Sequence, residues 1–142
     1  MTDSLERFVQ AQASTYDHAV LELRRGRKEG HWMWFIFPQL RGLGVSENAT
    51  YYGLRDLEEA RDYLHHPLLG PRLERATRAV LESEVAVEKL LGTLDAMKYA
   101  SCMTLFAAAA GEHSVYAQAL GGGVSVDSRT LKLLNEQESK HV

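Results

Sequence analysis

Six large apolar side chains stand in succession in "HWMWFIFPQLRGLG", residues 31–44: Trp32, Met33, Trp34, Phe35, Ile36 and Phe37. No polar residue alternates with them, so the run has no face to turn to water, and the rest of the chain must close around it. Trp32, Trp34, Phe35 and Phe37 therefore read as a central plug. These residue types favour strands, yet a single strand leaves its amides and carbonyls unpaired, and only "GVSV" at 123–126 offers a second one. The preferred reading is a short, fully buried helical segment ending at Phe37, ahead of Pro38, with a two-stranded ribbon as the alternative. A helical run apolar on all sides is rarely covered completely. One tryptophan is then left to face a cleft, where a flat ring stacks on a base, a sugar or a peptide.

Every other clear periodicity is helical. Leu5, Phe8, Val9 and Gln12, then Tyr16, Ala19, Val20 and Leu23, recur in steps of three and four around Ser14-Thr15, which fits two helices or one with a kink. Ser4 is placed to cap the first. Gly26 is placed to stop the second, behind Arg24 and Arg25. Ser46 reads as the cap of a short helix over "ENATYYGL". Asp56 and Glu59 have capping-box spacing ahead of an inward stripe of Leu57, Ala60 and Leu64. Pro67 closes that helix and opens another that runs to about Glu82. A longer helix begins near Asp95, buries Met97, Ala100, Cys102, Leu105, Ala108 and Ala109, and stops at Gly111. "HSVYAQAL" forms a short helix before three glycines. Asp127 caps "SRTLKLL" with Leu131 and Leu134 inward, and residues 135–142 read as a frayed tail. No repeat or linker divides the chain. The expectation is an all-α, single-domain bundle of about six to eight helices around the aromatic plug.

At 142 residues one domain buries roughly 68–70% of the surface its unfolded chain exposes, enough for a core without staples. The net charge of -3 argues against a general nucleic-acid binder, which needs a basic excess. Cys102 is the single cysteine, so no internal disulfide forms, and its apolar surroundings point to a buried, inert thiol. "MTDSLERFVQ" lacks a signal-peptide pattern, and no apolar stretch approaches the ~18 residues that cross a bilayer. A cytoplasmic protein without a membrane partner, monomeric or weakly homo-oligomeric, is expected.

The candidates for chemistry flank the plug. Upstream, Arg24, Arg25, Arg27, Lys28 and His31 form the densest positive charge in the chain. Beside exposed aromatics this charge could receive a phosphate or carboxylate; the plain alternative is a solvated helix terminus with dipole-matched cations. Downstream, Gly42 and Gly44 bracket a turn into Ser46, a weak anion-binding signal without a dinucleotide fingerprint or P-loop. The six histidines show no metal-ligand spacing, so no metal or cofactor is expected. His31 is the one candidate acid or base among them. Asp95, Lys98 and Ser101 follow one another a turn apart, which suits either the polar lip of a pocket or an ordinary surface pair.

Together, "RFVQAQ", "HWMWFIFPQLRGLGVS", "EARDYLHHPLLGPRL" and "DAMKYASCMTLF" resemble a domain-of-unknown-function family of small, all-helical bacterial proteins to which the label calpastatin is often attached. The resemblance spans nearly the whole chain and implies a compact all-α bundle, which tips residues 31–37 further toward helix. It implies no reaction or cofactor. Calpastatin itself is a long, disordered, polar chain, whereas this one is short and rich in apolar residues, so the label does not fit. The family's distinctive positions fall here on His31, Trp32, Trp34, Pro38, Gln39, Gly42, Gly44, Ser46, His66, Pro67, Gly70, Arg72, Asp95, Lys98, Ser101 and Thr104. Many are polar, which packing alone does not explain. Ala100 and Cys102 depart from the family's tendency at those positions, a further mark against a catalytic thiol.

Three functions follow, in order of preference. The first is a site for an anionic, ring-bearing small molecule such as a nucleotide or ADP-ribose-like compound, with or without hydrolysis. Trp32 or Trp34 would stack, Arg27, Lys28 and Lys98 would hold charge, Gln39, Ser46 and Ser101 would bond the ligand, and His31 or Asp95 would handle a proton. The second is a protein-interaction module with an aromatic groove. The third is a scaffold whose polar residues are caps and core hydrogen bonds.

Overall fold

The computed structural model describes residues 4–140. Ten helices are found among them: α1 (Glu6–Gln12), α2 (Tyr16–Arg25), α3 (Met33–Ile36), α4 (Glu47–Tyr51), α5 (Leu57–His65), α6 (Leu69–Leu81), α7 (Val87–Leu91), α8 (Thr93–Ala110), α9 (Val115–Gly121) and α10 (Ser128–Lys140). The architecture is all-α and single-domain, with more helices than the periodicity suggested. The surplus comes from short turns such as α7, whose five residues are too few to show a period.

The middle of α8 is the axis of the bundle. Ser101 through Phe106 are all buried, which requires neighbours on every side, and α3, α5, α7, α9 and α10 supply them. Two hydroxyls on this stretch are satisfied within the helix, Ser101 by the Met97 carbonyl and Thr104 by that of Ala100. Aromatic rings fill the space between elements in edge-on and tilted contacts: Phe8 with Tyr63, Tyr63 with Phe106, and Phe37 with Tyr99. Buried Gln12 fastens four helices or their ends. Its amide nitrogen donates to the Phe35 carbonyl at 2.7 Å and to the Tyr63 hydroxyl at 3.1 Å, and its oxygen accepts from Arg72. Burial raises the Cys102 thiol well above its ordinary range, so it stays protonated and unreactive.

The aromatic run resolves as the helical turn α3, with Phe37 at its C-terminal end. No ribbon forms with 123–126. The chain leaving Pro38 instead makes a single bridge, in which Leu54 N–H donates to the Gln39 carbonyl and Arg41 N–H to the Leu54 carbonyl. Two glycines set geometry. Gly26 ends α2 at φ 86°, a conformation that side chains resist. Gly70 lets α6 press on the end of α5, where a Cβ would lie 2.1 Å from the Leu64 carbonyl oxygen.

Several local expectations are corrected. Ser4 does not cap α1; Leu5 stands there, and the Ser4 hydroxyl donates to Glu59. Asp56 caps α5, but Glu59 reaches back to the Arg55 amide rather than to that of Asp56. The start of α6 is capped by the His66 imidazole, which accepts from the Leu68 and Leu69 amides. Helix α8 begins two residues before the expected Asp95, at Thr93. Met97 is 60% and Leu131 42% exposed, not inward, because α8 and α10 are open to water where no helix covers them. The expected frayed tail is helical as far as Lys140; residues 141–142 lie outside the described residues. Among the described residues no helix is long and apolar enough to cross a membrane.

Candidate functional site

Helix α3 is so short that Trp32 and Trp34 point in different directions, and their surroundings divide accordingly. Trp32 is 1% exposed. Its indole N–H donates to Glu22 Oε1 at 2.9 Å, and the same oxygen accepts from the amides of Glu29 and Gly30 at 2.8 and 2.9 Å. Partial burial alone would push the Glu22 carboxyl up, but these three donors and nearby Lys28 hold it below the ordinary range. The hairpin of basic residues is thereby tied back onto α2.

Trp34 is half-buried and looks outward, into a cleft of about 260 Å³. The aromatic wall is Trp34 with Tyr52. Helix α8 contributes Leu94, Met97, Lys98 and Ser101 to the lining, and the start of α10 contributes Asp127 and Arg129. Lys98 Nζ lies 4.0 Å from the centre of the Trp34 ring. It also pairs with Asp95 Oδ1 at 3.4 Å, while Lys28 takes Asp95 Oδ2 at 2.7 Å. One carboxylate therefore serves two lysines, and Lys28 also lies near the Glu22 carboxylate, which leaves Lys98 as the less firmly paired cation beside the cleft. Arg129 adds a second cation, held by the Leu43 carbonyl. Gly53 keeps the wall low: a Cβ there would meet the Ala49 carbonyl oxygen at 2.6 Å.

The polar lining offers both donors and acceptors. Among the described residues, the Gln39 side-chain amide has no hydrogen-bond partner, so its N–H and carbonyl groups are free toward the cleft. Asp127 Oδ2 accepts from the Thr130 amide at 3.1 Å and from the Thr130 hydroxyl, and shares the Ser101 hydroxyl, 3.0 Å away, with the Met97 carbonyl; among the described residues Oδ1 has no partner. Its own amide donates to Thr104 at 2.9 Å, which fixes the cap against α8.

Of the residues singled out from sequence, Trp34, Gln39, Lys98 and Ser101 share this cleft. Lys28, Trp32 and Asp95 form the layer behind it, with Lys28 Nζ 5.1 Å from the Trp32 ring centre. Arg27, His31 and Ser46 are exposed and line no part of the cleft. Ser46 is used as a helix cap, accepting from the Ala49 amide at 3.1 Å. Neither His31 nor Asp95, the two candidate proton carriers, faces the hollow. Tyr52, Asp127 and Arg129 were missed as site residues. Asp127 carried a signal, as the cap of α10, but nothing along the chain announces that α10 begins against α8. Among the described residues no group of three His, Cys, Asp or Glu side chains stands close enough to hold a metal ion.

Comparison with known proteins agrees with this architecture. The family model described as "Protein of unknown function (DUF1810)" matches residues 2–134. The crystal structure of the conserved hypothetical protein Rv1873 from Mycobacterium tuberculosis is similar at 48% sequence identity and a TM-score of 0.89, covering 92% of this chain and 96% of that one. No curated protein matches.

Proposed function

The chain belongs to the DUF1810 family of proteins of unknown function, and from that premise we propose that it binds a small, ring-bearing anion in the cleft beside Trp34. The observation that carries the reading is the convergence of two cations, Lys98 and Arg129, on a hollow walled by Trp34 and Tyr52. A planar ring would lie against the aromatic wall, its anionic group between the cations. Gln39 and Asp127 Oδ1 would meet the ring's own donors and acceptors.

Size narrows the ligand. A cleft of about 260 Å³ falls just below the ~300–1,000 Å³ usual for small-molecule sites. It suits a nucleobase or an aromatic acid with one anionic substituent, and only part of an ADP-ribose-like compound. Binding is preferred to hydrolysis because no imidazole lines the cleft, and its one carboxylate, Asp127, is engaged as a cap.

Titration of nucleoside monophosphates and aromatic carboxylates, followed by tryptophan emission and thermal unfolding, tests the reading. A ligand at 100 times its dissociation constant adds about 2.7 kcal/mol of stability, and quenching should come from Trp34, since Trp32 is sealed. A complete panel without shift or quenching would remove the proposal. A second reading rests on the rim, where Leu94 is 74% and Met97 60% exposed; an apolar peptide laid over them would be captured without any need for an anion.

A further inference from the structure

The basic run that precedes the aromatic plug is only partly absorbed by the cleft. Lys28 is drawn to Asp95, but Arg24 turns the other way, into a broad groove of about 1070 Å³ near the opposite end of α8. Arg61 from α5 and Arg75 and Arg78 from α6 enter the same groove. Two glutamates accompany them, and Glu74 is taken by Arg78 at 3.3 Å. Among the described residues Arg24, Arg61 and Arg75 have no ion pair. Arg24 answers the dipole at the end of α2, which offers only a partial charge. Arg61 and Arg75 stand in mid-helix and have not even that. Arg24 at the end of α2, Arg61 on α5 and Arg75 and Arg78 on α6 thus bring guanidinium groups from three helices to one groove.

We propose that this groove is a second site, for a compact polyanion bearing two or more phosphate groups. Guanidinium pairs with phosphate oxygens in bidentate fashion, and several forks from separate helices match several phosphates better than one. The rings along the groove are the exposed imidazoles of His65 and His113 and the buried Tyr116; with no indole or phenol ring open as in the cleft, recognition depends chiefly on charge and not on a stacked base. Four arginines against two glutamates leave the groove at +2; with the whole chain at -3, the remainder carries -5. A long nucleic acid or an anionic membrane would meet that negative remainder, whereas a ligand confined to the groove would not.

Inorganic tripolyphosphate is the probe, titrated calorimetrically into the full chain at low salt. Saturable binding is expected, weakened about tenfold or more in R61A/R75A and unchanged in Lys98→Met, which removes a cation of the cleft and so separates the two sites. Both arginines are exposed, and circular dichroism of each variant checks folding; R75E, which keeps a long side chain and reverses the charge, should weaken binding further. No tripolyphosphate binding by the unaltered chain, or binding indifferent to R61A/R75A and R75E, would overturn the assignment. So would a single-stranded oligonucleotide or an acidic peptide that binds more tightly than tripolyphosphate.

Discussion

Trp32 and Trp34 stand two residues apart, each with a lysine over its ring, and both lysines end on the carboxylate of Asp95. One ring is sealed in the core with its N–H on Glu22; the other forms the wall of a cleft. The pair shows that residue type and neighbouring charge do not decide between core and site. The direction in which a one-turn helix leaves each side chain does. Trp32 holds the fold, and Trp34 stands open at the cleft at little structural cost. Five substitutions should separate these roles.

The largest effect belongs to Trp32→Ala. Removing a fully buried indole and orphaning its acceptor should cost about 3–5 kcal/mol, whereas Trp34→Ala should cost about 1–2 kcal/mol. Denaturant unfolding of the two variants checks the difference, and equal losses would erase the distinction between the rings. Asp95→Asn comes next. It withdraws the shared counter-ion from Lys28, whose side chain is 9% exposed, and stranding a largely buried cation costs about 3 kcal/mol. The same change should alter Trp34 emission, because Lys98 loses the anchor that holds it over the ring.

Glu22→Gln should cost about 1–3 kcal/mol at neutral pH, since three donors keep an acceptor but lose its charge. Its signature is in the pH profile. The folded carboxyl titrates below its unfolded value, so its contribution is complete above the ordinary carboxylate range and is lost as pH falls through the folded value. Acid melts should therefore show the native chain losing more stability than Glu22→Gln between neutral pH and about pH 3. Parallel curves would mean that Glu22 does not act through its charge.

Much of the architecture was legible because helices advertise themselves. The periodic stripes of α1, α2, α5 and α6, the caps Ser46, Asp56 and Asp127 and the stop at Gly26 are all local signals. What was hidden is tertiary. Met97 has the same apolar character as buried Met103, and only the absence of a covering helix leaves it at the cleft rim. The His66 cap escaped notice because imidazole is a rare cap and the proline after it draws the eye. The cleft was half visible: Trp34, Gln39, Lys98 and Ser101 lie in or near the singled-out stretches, while Arg129 belongs to a helix whose docking no pattern along the chain reports. His31 misled, since proximity to the aromatic run in sequence placed it on an exposed turn and not at the cleft.

The smallest structural effect, and the sharpest functional one, is expected for Lys98→Met. The substitution keeps an unbranched apolar stem against Trp34 and removes only the ammonium, which at a partly exposed site contributes about 0.5–1 kcal/mol through the ring. Lys28 then has Asp95 to itself, so the layer behind the cleft is better paired than before. Stability should move by less than about 1 kcal/mol. Ring-bearing anions should meanwhile lose about tenfold in affinity, with tripolyphosphate binding at the arginine groove unchanged. Fluorescence titration against a nucleoside monophosphate or an aromatic carboxylate reads the first, and calorimetry the second. If ring-anion affinity survives intact, Lys98 is merely a lid on Trp34, and the charge that selects the ligand must come from Arg129, the other cation of the lining. If both affinities fall together, tripolyphosphate is held by the cations of the cleft, and the arginine groove is not a second site.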